Sequence, residues 1–94
     1  MSNSYALLIE EIIQKQATVL GLAVAIRRAR NVEGITVDDA GKVSAVPSDG
    51  ELALQSLVAQ YKSLSGNMGV EFCKQTAAAF IRTHSDLTLP PILR

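Results

Sequence analysis

Apolar residues recur at helical spacing through the first third of the chain. Between Tyr5 and Asn31 they lie three or four positions apart, whereas polar residues form a continuous face over the first half only. Asn3 or Ser4 suits the N-cap of a helix, and the three arginines near Asn31 suit its negative end. The pattern predicts one long helix over residues 4–31.

Small side chains form a ridge along the second half of this predicted helix. Ala17, Gly21, Ala25 and Ala29 are spaced four apart, and the run from Ala17 to Ile26 carries no charge. A helix of about 26 residues is ~39 Å long, whereas a compact domain of this length has a diameter of roughly 32 Å. We therefore expect the helix to project from its own domain and to pack against a second copy. The expected homodimer interface consists of Ala17, Leu20, Gly21, Val24 and Ala25. The alternative is that later helices of the same chain cover this run.

After Asn31 the pattern changes to alternation typical of β-strands. The segments 34–37 and 42–46 are rich in β-branched residues and are joined by Asp38-Asp39-Ala40-Gly41. This connector suits a turn that ends with Gly41 at positive φ. The sequence thus predicts a β-hairpin over residues 34–46, which needs a helix to pack on because two strands alone are marginally stable.

Local sequence signals indicate the start and the end of a second helix. Pro47 ends the preceding strand, and Ser48 with Glu51 three positions later forms a capping box. Gly66 is a suitable residue for the end of the helix. These signals predict a helix over residues 48–65.

Asn67 is a plausible cap for a third helix over residues 68–85, antiparallel to the second. The tail 87–94 contains prolines, which disfavour a helix, and is apolar enough to dock on the core. We expect a mainly α fold, with a long N-terminal helix, a small β-hairpin and an antiparallel helix pair, in a single domain over residues 1–94. In the homodimer these helices would form one bundle.

Composition places the chain among folded proteins. Apolar residues make up 48% and charged residues 19%, with 9 basic and 9 acidic side chains. A net charge of zero argues against binding nucleic acid or an anionic membrane. The longest apolar run is far below the roughly 18 residues that a membrane span needs, and the N-terminus does not have the pattern of a signal peptide. We expect a cytoplasmic protein with no membrane or nucleic-acid partner.

No residues form a catalytic or metal-binding motif. Cys73 and His84 lie on one face of the predicted third helix, but three helical turns separate them by about 16 Å. One cysteine and one histidine are fewer ligands than zinc needs. We expect no catalytic, metal-binding or cofactor-binding residues, and a protein that is not an enzyme.

Arg27, Arg28 and Arg30 are candidates for partner binding, together with the tip of the hairpin. Their alternative role is to offset the negative end of the helix. The sequence favours a non-enzymatic, dimeric regulatory or protein-interaction module. The alternative function is a sensor that binds a small ligand in the bundle core around Leu20, Val24 and Phe80.

Overall fold

The chain is mainly helical, with a small antiparallel sheet between the second and third helices. The computed structural model describes residues 3–94, so Met1 and Ser2 of the predicted domain lie outside the described residues. In chain order the elements are α1 (Ser4–Leu20), α2 (Leu22–Arg30), β1 (Thr36–Val37), β2 (Val43–Ala45), α3 (Gly50–Ser65), α4 (Asn67–Ile81) and a 3₁₀ turn (Pro91–Leu93). The molecule measures 29 × 26 × 20 Å. The predicted fold class, helices with one small hairpin, is confirmed.

The prediction of one continuous N-terminal helix is wrong, because the helix breaks at Gly21. Gly21 has φ 88° and ψ 147°, which is far from helical geometry and is accessible to glycine because it lacks a Cβ atom. Its N–H closes α1 on the carbonyl of Ala17 at 2.9 Å, and its own carbonyl accepts from Ala25 at 3.1 Å. A straight helix of ~39 Å would exceed the 29 Å extent of the molecule. Instead α2 turns back and packs on α1, so the first helix does not project.

The core lies between α1 and α3, and α2 and α4 complete it. Helices α1 and α3 each have one face of apolar side chains that are fully buried. The residues of these two faces are Leu8, Ile9, Ile12 and Ile13 from α1, and Leu54, Leu57, Val58 and Tyr61 from α3. The Tyr61 hydroxyl donates to the carbonyl of Ala25 at 2.9 Å, which ties α3 to α2. This buried hydrogen bond satisfies the polar end of the largest core side chain.

The hairpin has the predicted turn. The Asp38 carboxylate accepts the N–H groups of Ala40 and Lys42, each at 2.9 Å, and Gly41 has φ 85°. The N–H donors hold the pKa of Asp38 below its usual value, with Lys42 the largest contributor. A bulge displaces the register between β1 and β2 by one residue.

Two side chains of α1 fasten the hairpin to the helical core. The Glu10 carboxylate accepts the N–H of Val43 at 2.9 Å, and the Gln14 amide donates to the carbonyl of Ala40 at 3.0 Å. Val37 of β1 is buried beneath the sheet. The hairpin therefore packs on a helix, as expected for a two-stranded sheet.

The ends of α3 and α4 differ from prediction in three places. The N-cap of α3 is Asp49, whose carboxylate accepts the N–H of Leu52 at 3.0 Å, so the predicted Ser48 capping box is wrong. Helix α4 begins at Asn67, which lies inside it, and ends at Ile81 rather than at residue 85. At the N-terminus Asn3 caps α1, as predicted.

The C-terminal tail docks on the helices. Leu87 and Leu93 are buried, and the residues between them pass the first turn of α1. There the Tyr5 hydroxyl donates to the carbonyl of Thr88 at 3.1 Å and accepts its N–H at 3.2 Å. The tail thus closes one side of the core, as its apolar composition predicts.

Candidate functional site

The return of α2 along α1 places the arginine-rich end of α2 beside the hairpin turn. Between them is an open groove of about 520 Å³. We call it the basic groove, and it is lined by Leu22, Ala23, Ile26, Arg27, Arg30 and Asp39. One end is apolar and the other end is charged, because these residues follow one face of α2 from its first turn to its last.

Arg30 joins α2 to the hairpin. Its Nε and Nη2 atoms donate to the carbonyl of Val37 at 3.2 and 3.0 Å, and Nη2 also contacts the Asp39 carboxylate at 3.0 Å. The Asp39 side chain is fully exposed and that of Arg30 is 48% exposed, so the ion pair contributes little to stability. Its effect is geometric, because it fixes a guanidinium group at the rim of the groove.

Arg27 and Arg28 form no ion pair within residues 3–94. Arg27 is exposed and lines the basic groove next to Ile26, whereas Arg28 is half-buried and lies outside the lining. The structure thus brings two of the three candidate arginines to one site.

The residues of the expected dimer ridge do not form one surface. Ala25 and Ala29 have no exposed area, because α1 and α3 cover α2 from within the same chain. Ala17 is half-buried, whereas Gly21 is exposed at the break. The ridge loses its continuity where the helix turns at Gly21.

A second groove, which we call the apolar groove, lies where the end of α1 meets the start of α4. It has a volume of about 560 Å³ and is lined mainly by Gln16, Val19, Met68, Gly69, Phe72 and Gln75. Met68 is 81% exposed and Val19 is 68% exposed. Exposed apolar residues that are grouped around one concave surface, unlike single scattered ones, are typical of an interaction site. Sequence reasoning missed this groove, because helical spacing does not say which apolar face a neighbour leaves uncovered.

Gln16 joins α1 to α4 beneath the apolar groove. Its side-chain nitrogen donates to the carbonyl of Gly69 and to the sulfur of Cys73, each at 3.3 Å. Burial raises the pKa of Cys73 to about 11, although the Gln16 hydrogen bond opposes this shift. Cys73 is therefore a protonated thiol at neutral pH and a poor nucleophile.

His84 is engaged separately from Cys73. Its ring stacks on Phe80 with centroids 4.0 Å apart, and Nδ1 lies 2.9 Å from the Thr83 hydroxyl. Over residues 3–94 no three His, Cys, Asp or Glu side chains come together in a way that would hold a metal ion. The polar contacts of these residues serve packing and capping.

Within the described residues, no helix has the length and apolar character required to cross a membrane. No protein-family model, curated protein or solved structure matches the chain.

Proposed function

We propose that this chain is a non-enzymatic regulatory or protein-interaction module that binds a partner protein in the basic groove. One observation carries the proposal: Arg27 is exposed and makes no ion pair within the described residues, and it lines the same groove as the 40% exposed side chain of Leu22. Arginine is among the residues enriched where proteins bind proteins, and the centres of such interfaces are more apolar than the rest of the surface.

The groove is also held in shape before any partner arrives. Arg30 fixes the hairpin to α2 through Val37 and Asp39, and Gln14 fixes the turn to α1. A site held in place by its own hydrogen bonds loses less conformational entropy on binding.

Photo-crosslinking tests this function. A photoreactive benzoyl-phenylalanine replaces Ala23, which is exposed in the groove, and in the control it replaces Ala78, which is exposed on α4. In the native cells we expect a defined protein adduct from position 23 that position 78 does not give and that Arg27→Glu abolishes. Equal adducts from both positions, or none from position 23, would contradict the proposal.

We further propose that the protein is a homodimer whose contact is the apolar groove, in place of the ridge. Met68 protrudes directly beside a concave surface, so a two-fold axis would insert each Met68 into the groove of the other copy. Such a contact needs roughly 800 Å² per protomer, out of a total surface of 5324 Å².

Sedimentation velocity over a dilution series tests the dimer. Met68→Glu should give a monomer, whereas Leu52→Glu, which changes a 55% exposed leucine on α3, should not. A wild-type monomer at ~100 μM would refute the proposal, since interfaces of this size usually hold at micromolar concentration.

A small-ligand sensor is the second candidate. The observation in its favour is the apolar groove, whose volume of about 560 Å³ falls within the range of ligand pockets. This groove lies at Val19 and Phe72 rather than around Leu20, Val24 and Phe80. Native mass spectrometry separates the two candidates, because a sensor should retain a small molecule whereas a dimer should show twice the chain mass.

A further inference from the structure

We propose that the basic groove binds a short acidic peptide segment with an apolar side chain on Leu22 and its carboxylates on Arg27 and Arg30. This inference rests on the proposed function and adds the chemistry of the partner. It follows from the charge of the groove, from the spacing of its lining residues and from its apolar end.

The charge of the groove is positive although the chain as a whole is neutral. Arg27 and Arg30 line it against a single acid, Asp39, and the half-buried Arg28 is adjacent in sequence. Asp39 is already engaged by Arg30, whereas Arg27 is not engaged by any acidic side chain within residues 3–94. A guanidinium group that offers a free pair of donors is suited to a carboxylate, which it binds through two parallel hydrogen bonds.

The spacing along α2 sets the spacing of the peptide. Leu22, Ile26 and Arg30 are four residues apart on one helix face, so consecutive members are about 6 Å apart along the axis. An extended chain advances about 3.3 Å per residue. Apolar and acidic side chains separated by two to four positions therefore match the two ends of the groove.

The apolar end favours a peptide over other anions. Leu22 is 40% exposed at the far end of the groove from Arg30, and it offers a contact that a phosphate or a sugar cannot use. The lining contains no aromatic side chain on which a base could stack. A peptide segment that contains both leucine and glutamate can contact the apolar end and the charged end of the groove at the same time.

Fluorescence anisotropy with three labelled peptides tests this inference on the full-length protein. The first probe contains the unit Leu-Leu-Ser-Glu-Glu. The second replaces both glutamates by lysine, and the third replaces both leucines by serine. We expect the first probe to bind at least tenfold more tightly than either of the others, with an affinity that falls as salt increases because the carboxylate contacts are screened.

A charge-matched pair of variants locates the site. Arg27→Glu should weaken binding of the first probe at least tenfold and should improve binding of the lysine peptide. Lys15→Glu makes the same change in net charge on the exposed face of α1, outside the groove, and should leave the affinity within twofold. Circular dichroism confirms that both variants are folded.

The outcomes distinguish this inference from the function on which it rests. No binding of the first probe at 1 mM, equal binding of the serine peptide, or equal loss in Lys15→Glu would overturn the acidic peptide. The acidic peptide would also be ruled out if the protein bound anionic lipid vesicles or single-stranded DNA more tightly than the first probe and this binding depended on Arg27. If position 23 still gives a partner adduct in that case, the groove remains an interaction site and only the chemistry of its partner is wrong.

Discussion

Replacing Gly21 by alanine tests the break between α1 and α2, on which the basic groove depends. At φ 88° and ψ 147° Gly21 occupies a region that is essentially restricted to glycine. A Cβ atom added there would meet no heavy atom within 4 Å, so the substitution creates no clash. Any loss of stability therefore comes from backbone strain and not from a steric clash with neighbouring residues.

The magnitude follows from two opposing effects. Strain from an L-residue at such a conformation costs about 1–3 kcal/mol. The lower entropy of the unfolded alanine chain offsets about 0.4–1 kcal/mol of this cost. We expect Gly21→Ala to lower the free energy of unfolding by about 1–2 kcal/mol, which for a domain of this size lowers Tm by roughly 4–16 °C.

Urea unfolding followed by circular dichroism measures this change. D-alanine at position 21, introduced by chemical synthesis, is the matched control, because a D-residue favours positive φ. It should destabilise the protein less than L-alanine does, since the effect on the unfolded chain is the same for both. If L-alanine instead raised stability, residue 21 would be helical, since alanine is favoured over glycine in a helix interior by about 1 kcal/mol, and the account of the fold-back would fail.

Three further predictions concern side chains. Because burial raises the pKa of Cys73 from its usual 8.5 or so to about 11, the folded protein retains a proton that the unfolded chain loses. The free energy of unfolding should therefore fall as pH rises from about 8.5 towards 11, by up to ~1.4 kcal/mol per pH unit, in urea titrations. Cys73→Ala should have a shallower slope there, and an unchanged slope would contradict the burial of the thiol. The pKa of Asp38 is lowered, so its contribution to stability is present above its unfolded pKa and is lost as pH falls through the folded value. Thermal melts of Asp38→Ala should show less acid sensitivity than wild type, and equal sensitivity would exclude this role. Tyr61→Phe removes the buried hydrogen bond to Ala25 and should cost about 1 kcal/mol in urea unfolding; a neutral change would mean that this bond adds no net stability.

The sequence was sufficient for most of the fold but not for the turn between α1 and α2. A single glycine among apolar residues at helical spacing is usually tolerated in the interior of a helix. Gly21 has no adjacent proline or polar residue that would indicate the end of a helix. The break is imposed by tertiary packing, because α2 buries Ala25 and Ala29 only when it turns back. The hairpin was predictable because its turn chemistry is local, as Asp38 and Gly41 show.

The helix caps show how local signals compete. Ser48 and Asp49 are adjacent, and either could accept the first free N–H groups of a helix. The capping-box spacing favoured Ser48, but the structure uses Asp49, with Leu52 as its donor. Pro47 lies between the second strand and α3, and the N-cap is one residue later than the spacing indicates.

The candidate site was only partly readable from the sequence. Their charge made Arg27 and Arg30 candidates for partner binding, and the hairpin tip, which contains Asp39, was predicted to belong to the same surface. Leu22 was part of the apolar run, in which nothing indicated that its side chain would be exposed. Only the fold-back at Gly21 turns the start of α2 toward the surface and gives the arginines an apolar neighbour.

The measurement that tests the central claim most directly is a map of backbone amide chemical shifts of the ¹⁵N-labelled protein titrated with the leucine–glutamate peptide. We expect shift changes to concentrate in residues 22–30 of α2 and 37–42 of the hairpin turn, which contain the residues that line the basic groove. Changes concentrated at the apolar groove, around residues 16–19 and 67–75, or spread over the whole surface, would contradict it.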